Sequence, residues 1–549
     1  MRMSLLNRAK MRGAMLLLAG LAGGDWVMRE LGAEADVAPP QPHDIRTVDD
    51  LGPMPDAKHI AYVAMSPDCH NIAMAVRVGD AYQLLVNGKN TASGGSIPYI
   101  TYSPDSRRML CIVSTGQKAA LSVDGLVGTP FDEIADQRFS PDSKHVYYSA
   151  RRGADWFAVL DGKESAAGGS RPTQVTFSAD GEHFAYIAKS GDAQKVVVDG
   201  RGGEPYRAVN DLKLSSQGDH VAYAANTTPN AWAAIVDGKQ SGDAYQAGVD
   251  RINFSLDGKR CAFVGCMSPL TVSEQYEVVV DGKAIGKYHD VTSGPIFAPD
   301  GAHVHYGASR VMGPLYDSRG IYNPHFQSSE YRDGKVKEET GYGMAQMIYS
   351  ADGNHVVRYW TEYASSGDAF VPARMPVVDV DDEDQRLNLQ PLNLTVTMRQ
   401  YSSKIASIAS NYNFGGGYCM HVNGRDQDRT QIGPPHTRLG PPLFSPDSCQ
   451  LAYAAQDDPN TDWFVVLDQA EDTRALIYPT VDVGKDGKWN PITQFVNQTS
   501  IDNGCSYPGQ LPYHFDADGT LVYFRVSDGH LYRVHWKPED ATTAPATRP

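Results

Sequence analysis

Residue types that carry catalysis in hydrolases occur in this sequence without the spacing that catalysis needs. A serine nucleophile on a sharp turn reads G-x-S-x-G between a strand and a helix. The two nearest stretches, Gly94–Pro98 and Gly168–Ser170, lack that spacing. A glycosidase needs two facing carboxylates, and no pair can be singled out among 65 acidic residues. The sequence therefore predicts no catalytic residue.

Candidate metal ligands are sparse as well. His303 and His305 follow a turn, and alternation along a strand would place both imidazoles on one face, but the sequence identifies no third ligand. The acidic run 379–384 (DVDDED) has the carboxylate density of a calcium loop. It lacks the glycine at position six, and its twelfth position is Gln390 rather than glutamate. No C-x-x-C pair is present among the seven cysteines. We therefore expect no metal site and no cofactor.

Aromatic residues recur at one position and are the candidate binding residues. They stand five residues before a repeated Asp-Gly or Asn-Gly turn, or before the position equivalent to it, and the series is interrupted by Ala119 and Gln194: Tyr82, Trp156, Trp232, Tyr276, Tyr418 and Trp463. An exposed row of aromatic rings could hold a peptide or a sugar. The alternative is that these rings pack between neighbouring sheets.

Two repeated turns organise the elements that would carry these residues. The first turn contains a serine that recurs every 37 to 40 residues, at Ser66, Ser103, Ser140, Ser178, Ser215 and Ser255. The second turn follows it and is formed by Asn87-Gly88, Asp124-Gly125, Asp161-Gly162, Asp199-Gly200, Asp237-Gly238 and Asp281-Gly282. Asp-Gly and Asn-Gly between apolar runs are strong hairpin signals, because both residues tolerate positive φ. The two turns therefore predict four short strands in each repeat unit.

A period near 40 residues with four strands per unit predicts an all-β protein, a β-propeller of about ten or eleven four-stranded blades. The stretch Phe177–Gly181 followed by Phe184-Ala185-Tyr186 resembles the WD-like repeat of TolB-type propellers. The element Val278–Lys283 with Tyr288 resembles a variant found in bacterial exported propellers of unassigned role. The resemblance implies a protein-binding platform or a non-catalytic domain.

The blades could close as two rings, which we slightly favour, or as one large ring. We assign residues 57–292 to regular propeller repeats and 293–540 to degenerate repeats with insertions. Residues 36–56 form an N-terminal segment in which Ile45–Val48 could supply the strand that the last unit lacks. Residues 541–549 form a disordered tail.

The first 35 residues predict a signal peptide. A basic start precedes the apolar stretch 14–24, and Ala33-Glu34-Ala35 offers a small-x-small cleavage site. The alternative is a packed or disordered N-terminal helix, because Asp25, Arg29 and Glu30 add charge. We therefore expect a periplasmic or secreted protein. A net charge of −16 disfavours nucleic acid as a partner, and no apolar run is long enough to span a membrane in the mature chain.

These observations predict a non-catalytic exported binding or scaffold propeller that recognises a protein, a peptide or an envelope glycan. The alternative is an enzyme, such as a metal-assisted hydrolase or lyase, whose site is assembled in the central channel. An enzyme should show histidines and carboxylates from several blades converging, whereas a binder should show an exposed aromatic or apolar patch.

Overall fold

The computed structural model describes residues 45–267, 275–312, 325–341 and 511–537 without interruption, and between 346 and 491 it describes the strands with some of their connections. The predicted signal peptide (1–35) and the C-terminal tail lie outside the described residues. Contacts group Asp44–Pro538 into one compact unit. Among the residues described, the regular structure is almost entirely β-strand, and no helix is long and apolar enough to cross a membrane.

The described residues begin at Ile45 with one strand and a short 3-10 helix, which are followed by six regular sheets of four antiparallel strands. These elements are β1 (Ile45–Pro53) and the helix Ala57–His59; β2 (Ile60–Met65), β3 (Ile72–Val78), β4 (Ala81–Val86), β5 (Lys89–Gly94); β6 (Ser96–Tyr102), β7 (Met109–Thr115), β8 (Lys118–Val123), β9 (Leu126–Val127); β10 (Glu133–Phe139), β11 (Val146–Arg152), β12 (Asp155–Leu160), β13 (Lys163–Ala166); β14 (Thr173–Phe177), β15 (Phe184–Ser190), β16 (Ala193–Val198), β17 (Arg201–Tyr206); β18 (Val209–Leu214), β19 (Val221–Thr228), β20 (Ala231–Val236), β21 (Lys239–Tyr245); β22 (Gly248–Phe254), β23 (Cys261–Cys266), β24 (Tyr276–Val280), β25 (Lys283–Tyr288).

In the described part of the C-terminal half, four further sheets, one hairpin and a last sheet follow. Their strands are β26 (Asp290–Phe297), β27 (Val304–Met312), β28 (His325–Arg332), β29 (Lys335–Gly341); β30 (Gln346–Tyr349), β31 (Val356–Tyr363), β32 (Arg374–Val380), β33 (Glu383–Gln385); β34 (Val396–Met398), β35 (Ile405–Ser410), β36 (Tyr418–Asn423), β37 (Thr430–His436); β38 (Arg438–Leu439), β39 (Leu443–Phe444), β40 (Leu451–Gln456), β41 (Phe464–Leu467), β42 (Ala470–Asp472); the hairpin β44 (Val481–Val483) and β45 (Trp489–Pro491); and β43 (Ala475–Leu476), β46 (Tyr513–Phe515), β47 (Leu521–Ser527), β48 (His530–Lys537).

This architecture confirms the predicted β-propeller fold class and its blade count. The second turns have the backbone that the sequence predicted: Asp199 has φ of 48° and Gly200 has φ of 79°, and the equivalent turns of the other regular sheets have the same signs. Positive φ at both central residues defines the type I′ hairpin, which matches the twist of the strands it joins. The residues of the second turn therefore determine where the chain reverses between the third and fourth strands of each sheet.

The last sheet is completed by the N-terminal strand. β1 pairs antiparallel with β48, from Ile45 opposite Lys537 to Asp50 opposite Tyr532. This strand begins at Ile45, where the sequence indicated a closing strand. The Arg46 guanidinium lies 3.7 Å from the ring centre of Trp536, so a cation–π contact adds to the ladder. We call the sheet formed by β43, β46, β47, β48 and β1 the closing sheet.

The core between sheets identifies the order in which they stack. One apolar cluster joins the closing sheet to the first sheet through Phe524, Leu531, Ile72 and Met74. Another joins the sixth sheet to the seventh through residues such as Val278 and Tyr306. Among the described clusters, none joins the first sheet to the sixth. Within the described clusters the first sheet thus packs against the closing sheet and the sixth against the seventh, which is the arrangement that the single-ring alternative requires.

Candidate functional site

The two turns of each regular sheet are linked by side chains. In the fourth sheet the Ser178 hydroxyl donates to the Asp180 carboxylate at 2.5 Å and accepts the His183 N–H at 3.0 Å. The Asp199 carboxylate then binds His183 Nδ1 at 2.8 Å and accepts the Phe184 N–H at 3.0 Å. The Asp199 hydrogen bond raises the pKa of His183 above its usual value. We call this arrangement the turn clamp.

The turn clamp recurs, and it assigns a structural role to a set of histidines. The residue five positions after the first-turn position pairs with the aspartate of the second turn in six sheets: Arg108–Asp124, His145–Asp161, His183–Asp199, His220–Asp237, Arg260–Asp281 and His303–Asp333. Sequence reasoning missed these pairs, although the constant offset of five residues was visible. It was the signal that could have found them.

The two histidines weighed as a metal pair have separate partners. His303 Nδ1 lies 2.7 Å from Asp333 Oδ2 in its turn clamp. The buried His305 has its Nδ1 3.3 Å from Oε1 of the buried Glu330. The structure thus assigns each imidazole to a different carboxylate. The side chains of the acidic run 379–384 lie outside the described residues.

The predicted aromatic positions are half-buried where their side chains are described. Tyr82, Trp232, Tyr276 and Trp463 each pack against an apolar core cluster. Trp156 is half-buried at the start of β12, opposite Arg151. The side chain of Tyr418 lies outside the described residues. The four clustered rings are thus partly covered by packing between sheets, and their role in binding stays a prediction.

The first strand of each of the third to seventh sheets contains a β-bulge. In each bulge, the residue four positions before the first-turn serine position has a left-handed backbone with positive φ. These residues are Asp136, Gln174, Asp211, Arg251 and Gly294, with φ between 47° and 70°. Such φ values are uncommon for Gln and Arg. Two of these side chains bind the next sheet: Gln174 accepts the Leu212 N–H at 2.8 Å, and Asp211 accepts the Ile252 N–H at 2.7 Å. In a propeller the first strand of each blade is the innermost, so these bulges connect neighbouring blades at the inner edge.

Carboxylates occur on three successive first strands: Asp211 on β18, Asp250 on β22 and Asp290 on β26. Asp250 is exposed, yet its pKa is raised above the usual value. The main cause is partial loss of hydration of the carboxylate, and the negative charges of Asp211 and Asp290 raise the pKa further. Arg251 opposes that shift. Lys213 Nζ lies 3.6 Å from Asp211 Oδ1, so two cations, Lys213 and Arg251, accompany the three carboxylates. We call this group of three aspartates the acidic inner surface. Like charges held together favour a cationic ligand.

A second group lies where the closing sheet meets the first sheet. Ligand atoms of His70, Asp516 and His535 all lie within 4.8 Å of one another, and all three side chains are half-buried. His70 belongs to the first turn of the first sheet, Asp516 follows β46, and His535 belongs to β48. We call this group the seam triad. No sequence pattern points to it, because His70 is separated from Asp516 and His535 by more than 400 residues along the chain.

No family model matches the chain, and no curated protein matches it. Solved structures do resemble it. The hydrazine synthase of Kuenenia stuttgartiensis shares 13% identity over 61% of this chain and 94% of that chain, with a TM-score of 0.25. TolB from Acinetobacter baumannii shares 15% identity over 42% of this chain and 64% of that chain, with a TM-score of 0.20. The propeller domain of the Trilobed protease from Pyrococcus furiosus shares 10% identity over 62% of this chain and 94% of that chain, with a TM-score of 0.26. At these values the likenesses carry no functional argument.

Proposed function

We propose that this protein is an exported, non-catalytic β-propeller that binds a protein or peptide segment through the acidic inner surface. The observation that carries the proposal is the position of Asp211, Asp250 and Asp290 on the first strands of three successive sheets. Propellers collect ligand contacts from several blades at the inner edge. The bulges at Asp211 and Arg251 hold this edge through hydrogen bonds to the next sheet.

The charge of this surface selects among the ligand classes that the sequence left open. A peptide segment with lysine or arginine side chains supplies the opposite charge, whereas a neutral glycan does not. The net charge of −16 adds a long-range attraction for a basic partner. Export to the periplasm or beyond, through the predicted signal peptide, would place the ligand in the envelope or outside the cell.

A binding assay with defined probes tests this proposal. A fluorescein-labelled peptide of alternating lysine and serine should bind the full chain, and a glutamate–serine peptide should not. Asp250→Asn together with Asp290→Asn should weaken binding roughly tenfold, since each solvent-accessible carboxylate contributes up to about 1 kcal/mol. Asp243→Asn, on the outer strand β21, is the matched control and should leave the affinity unchanged. Equal binding of both peptides, or an equal effect of the control, contradicts the proposal.

The aromatic positions are a second proposed contact set. A pull-down from envelope extract should compare the wild-type chain with Trp156→Ala and Trp232→Ala. Trp232 packs against a core cluster, so its substitution also affects stability, while Trp156 lies outside the described clusters and is the cleaner variant. Capture of the same partners by both variants would remove the aromatic residues from the binding site.

A further inference from the structure

The seam triad has the composition of a transition-metal site. Two imidazoles and one carboxylate are a ligand set that zinc and related divalent ions accept, with one coordination position open. We infer that His70, Asp516 and His535 bind a divalent transition metal such as Zn²⁺, and that the bound ion ties the first sheet to the closing sheet. This inference is independent of the peptide-binding proposal, because it concerns a different surface.

The distances fit this assignment. In a tetrahedral site with metal–ligand bonds of about 2.1 Å, ligand atoms are separated by about 3.4 Å. His70 Nε2 lies 3.5 Å from Asp516 Oδ2, so this pair already has the required separation. The ligand atom of His535 lies within 4.8 Å of the other two. Coordination would therefore draw the His535 ligand atom closer to the other two by at most about 1.4 Å.

The surroundings orient the ligands. His70 Nδ1 lies 2.9 Å from the Asp68 carbonyl oxygen. A proton on Nδ1 donates to that carbonyl and leaves the Nε2 lone pair directed towards Asp516. Metal-bound histidines are commonly held in this way by a backbone carbonyl. The geometry thus selects the tautomer that a metal requires.

A neighbouring carboxylate supports His535 without competing for the metal. Asp49 Oδ2 lies 3.5 Å from His535 Nε2. The same oxygen accepts two hydrogen bonds from Arg533, at 2.5 and 2.9 Å. The Asp49 carboxylate is therefore already engaged by the Arg533 guanidinium beside the triad. Asp516 is the carboxylate placed to bind the ion directly.

The turn clamps supply a matched contrast. His183 and Asp199 also combine an imidazole with a carboxylate on a turn, at a closer distance of 2.8 Å. Among the described residues that pair lacks the second imidazole that His535 provides in the seam triad. A pair of ligands on an exposed turn has little affinity for zinc. His183 therefore serves as a control histidine that should not contribute to zinc binding.

Calorimetric titration of the chelator-treated full chain with Zn²⁺ tests the inference. We expect one tight equivalent for the wild type and for His183→Ala. His70→Ala, His535→Ala and Asp516→Asn should each weaken that binding by at least about tenfold. Mg²⁺, which prefers oxygen ligands, should not bind there. Zn²⁺ should also raise the melting temperature of the wild type and of His183→Ala, but not of the triad variants.

Two results would overturn the inference: a wild-type chain that takes up no Zn²⁺, or triad variants that bind it as tightly as His183→Ala does. Asp516→Asn keeps the shape of the side chain and serves if an alanine variant does not fold. Cobalt substitution gives a second readout, because Co²⁺ bound by the triad should show the visible absorption of a tetrahedral site, and this absorption should be lost in Asp516→Asn. A wild-type cobalt complex without it would also count against the site.

Discussion

The turn clamp makes a quantitative prediction at Asp199. Substitution to alanine removes the acceptor of the Phe184 N–H and the partner of His183 Nδ1. It also leaves alanine at φ of 48°, a conformation that aspartate tolerates better. The lost hydrogen bond contributes about 1 kcal/mol, the half-exposed ion pair about 0.5 kcal/mol, and the backbone conformation about 1 kcal/mol. We expect a total loss of about 2 to 3 kcal/mol.

Asp199→Asn is the matched control. Asparagine keeps an oxygen for the Phe184 N–H and also tolerates positive φ, so only the charge is lost. The chain itself contains this arrangement, since Asn87 accepts the Ile72 N–H at 3.0 Å in the first sheet. We expect Asp199→Asn to lose only about 0.5 kcal/mol.

The pH dependence of stability distinguishes the contribution of the His183–Asp199 charge pair from that of the hydrogen bonds. Because the pKa of His183 is raised in the folded state, its stabilisation is fully present below the unfolded value of about 6.5. That stabilisation is lost as the pH rises through the folded value. The difference between wild type and Asp199→Asn should therefore be largest near about pH 6 and should disappear in alkaline buffer. The deficit of Asp199→Ala should persist there.

Hydrogen exchange at the Phe184 amide measures the effect locally, which avoids assuming that the whole chain unfolds in one step. When this amide exchanges through local opening, a loss of about 2 kcal/mol corresponds to exchange about 30 times faster. Urea denaturation should rank the variants in the same order. Wild-type protection in Asp199→Ala, or equal losses in the two variants at every pH, would refute the role given to the clamp.

Three further predictions concern closure and core packing. Arg533→Ala should loosen the closing sheet by about 1 to 3 kcal/mol, because Arg533 holds Asp49 and the His70 carbonyl; faster hydrogen exchange in residues 45–53 would show it. Gly265→Ala should destabilise by about 1 to 3 kcal/mol, since its Cβ would lie 2.2 Å from the Tyr245 ring, and urea denaturation measures the loss. Tyr245→Phe removes the 2.6 Å hydrogen bond to the buried Glu277 and should lower the melting temperature, with a loss of about 1 to 3 kcal/mol.

Much of the fold could be predicted because its signals are local. Asp-Gly and Asn-Gly turns specify their own backbone over two residues, and the structure has positive φ at Asn87, Asp161 and Asp237. Residues such as Val196 and Val278, which alternate or run together between turns, are buried in the sheets as their patterns indicate. The repeat length then follows, because each unit must bury its faces against the next.

The candidate sites could not be predicted in the same way. The aromatic series was visible, but a sequence position does not say whether a ring faces solvent or a neighbouring sheet, and Trp232 and Tyr276 pack against the core. The acidic inner surface depends on Asp211 and Asp250, which are ordinary surface residues in the sequence. Their proximity follows from the stacking of successive sheets.

The sequence by itself determined that this chain forms repeated four-stranded units, because turn chemistry and strand alternation act over a few residues. Only the tertiary structure decided which units are neighbours and that β1 joins β48. It also brought His70 beside Asp516 and His535. The physical reason is that side-chain interactions reach only a few ångströms, so residues at opposite ends of a chain can form a site only after the sheets between them have packed.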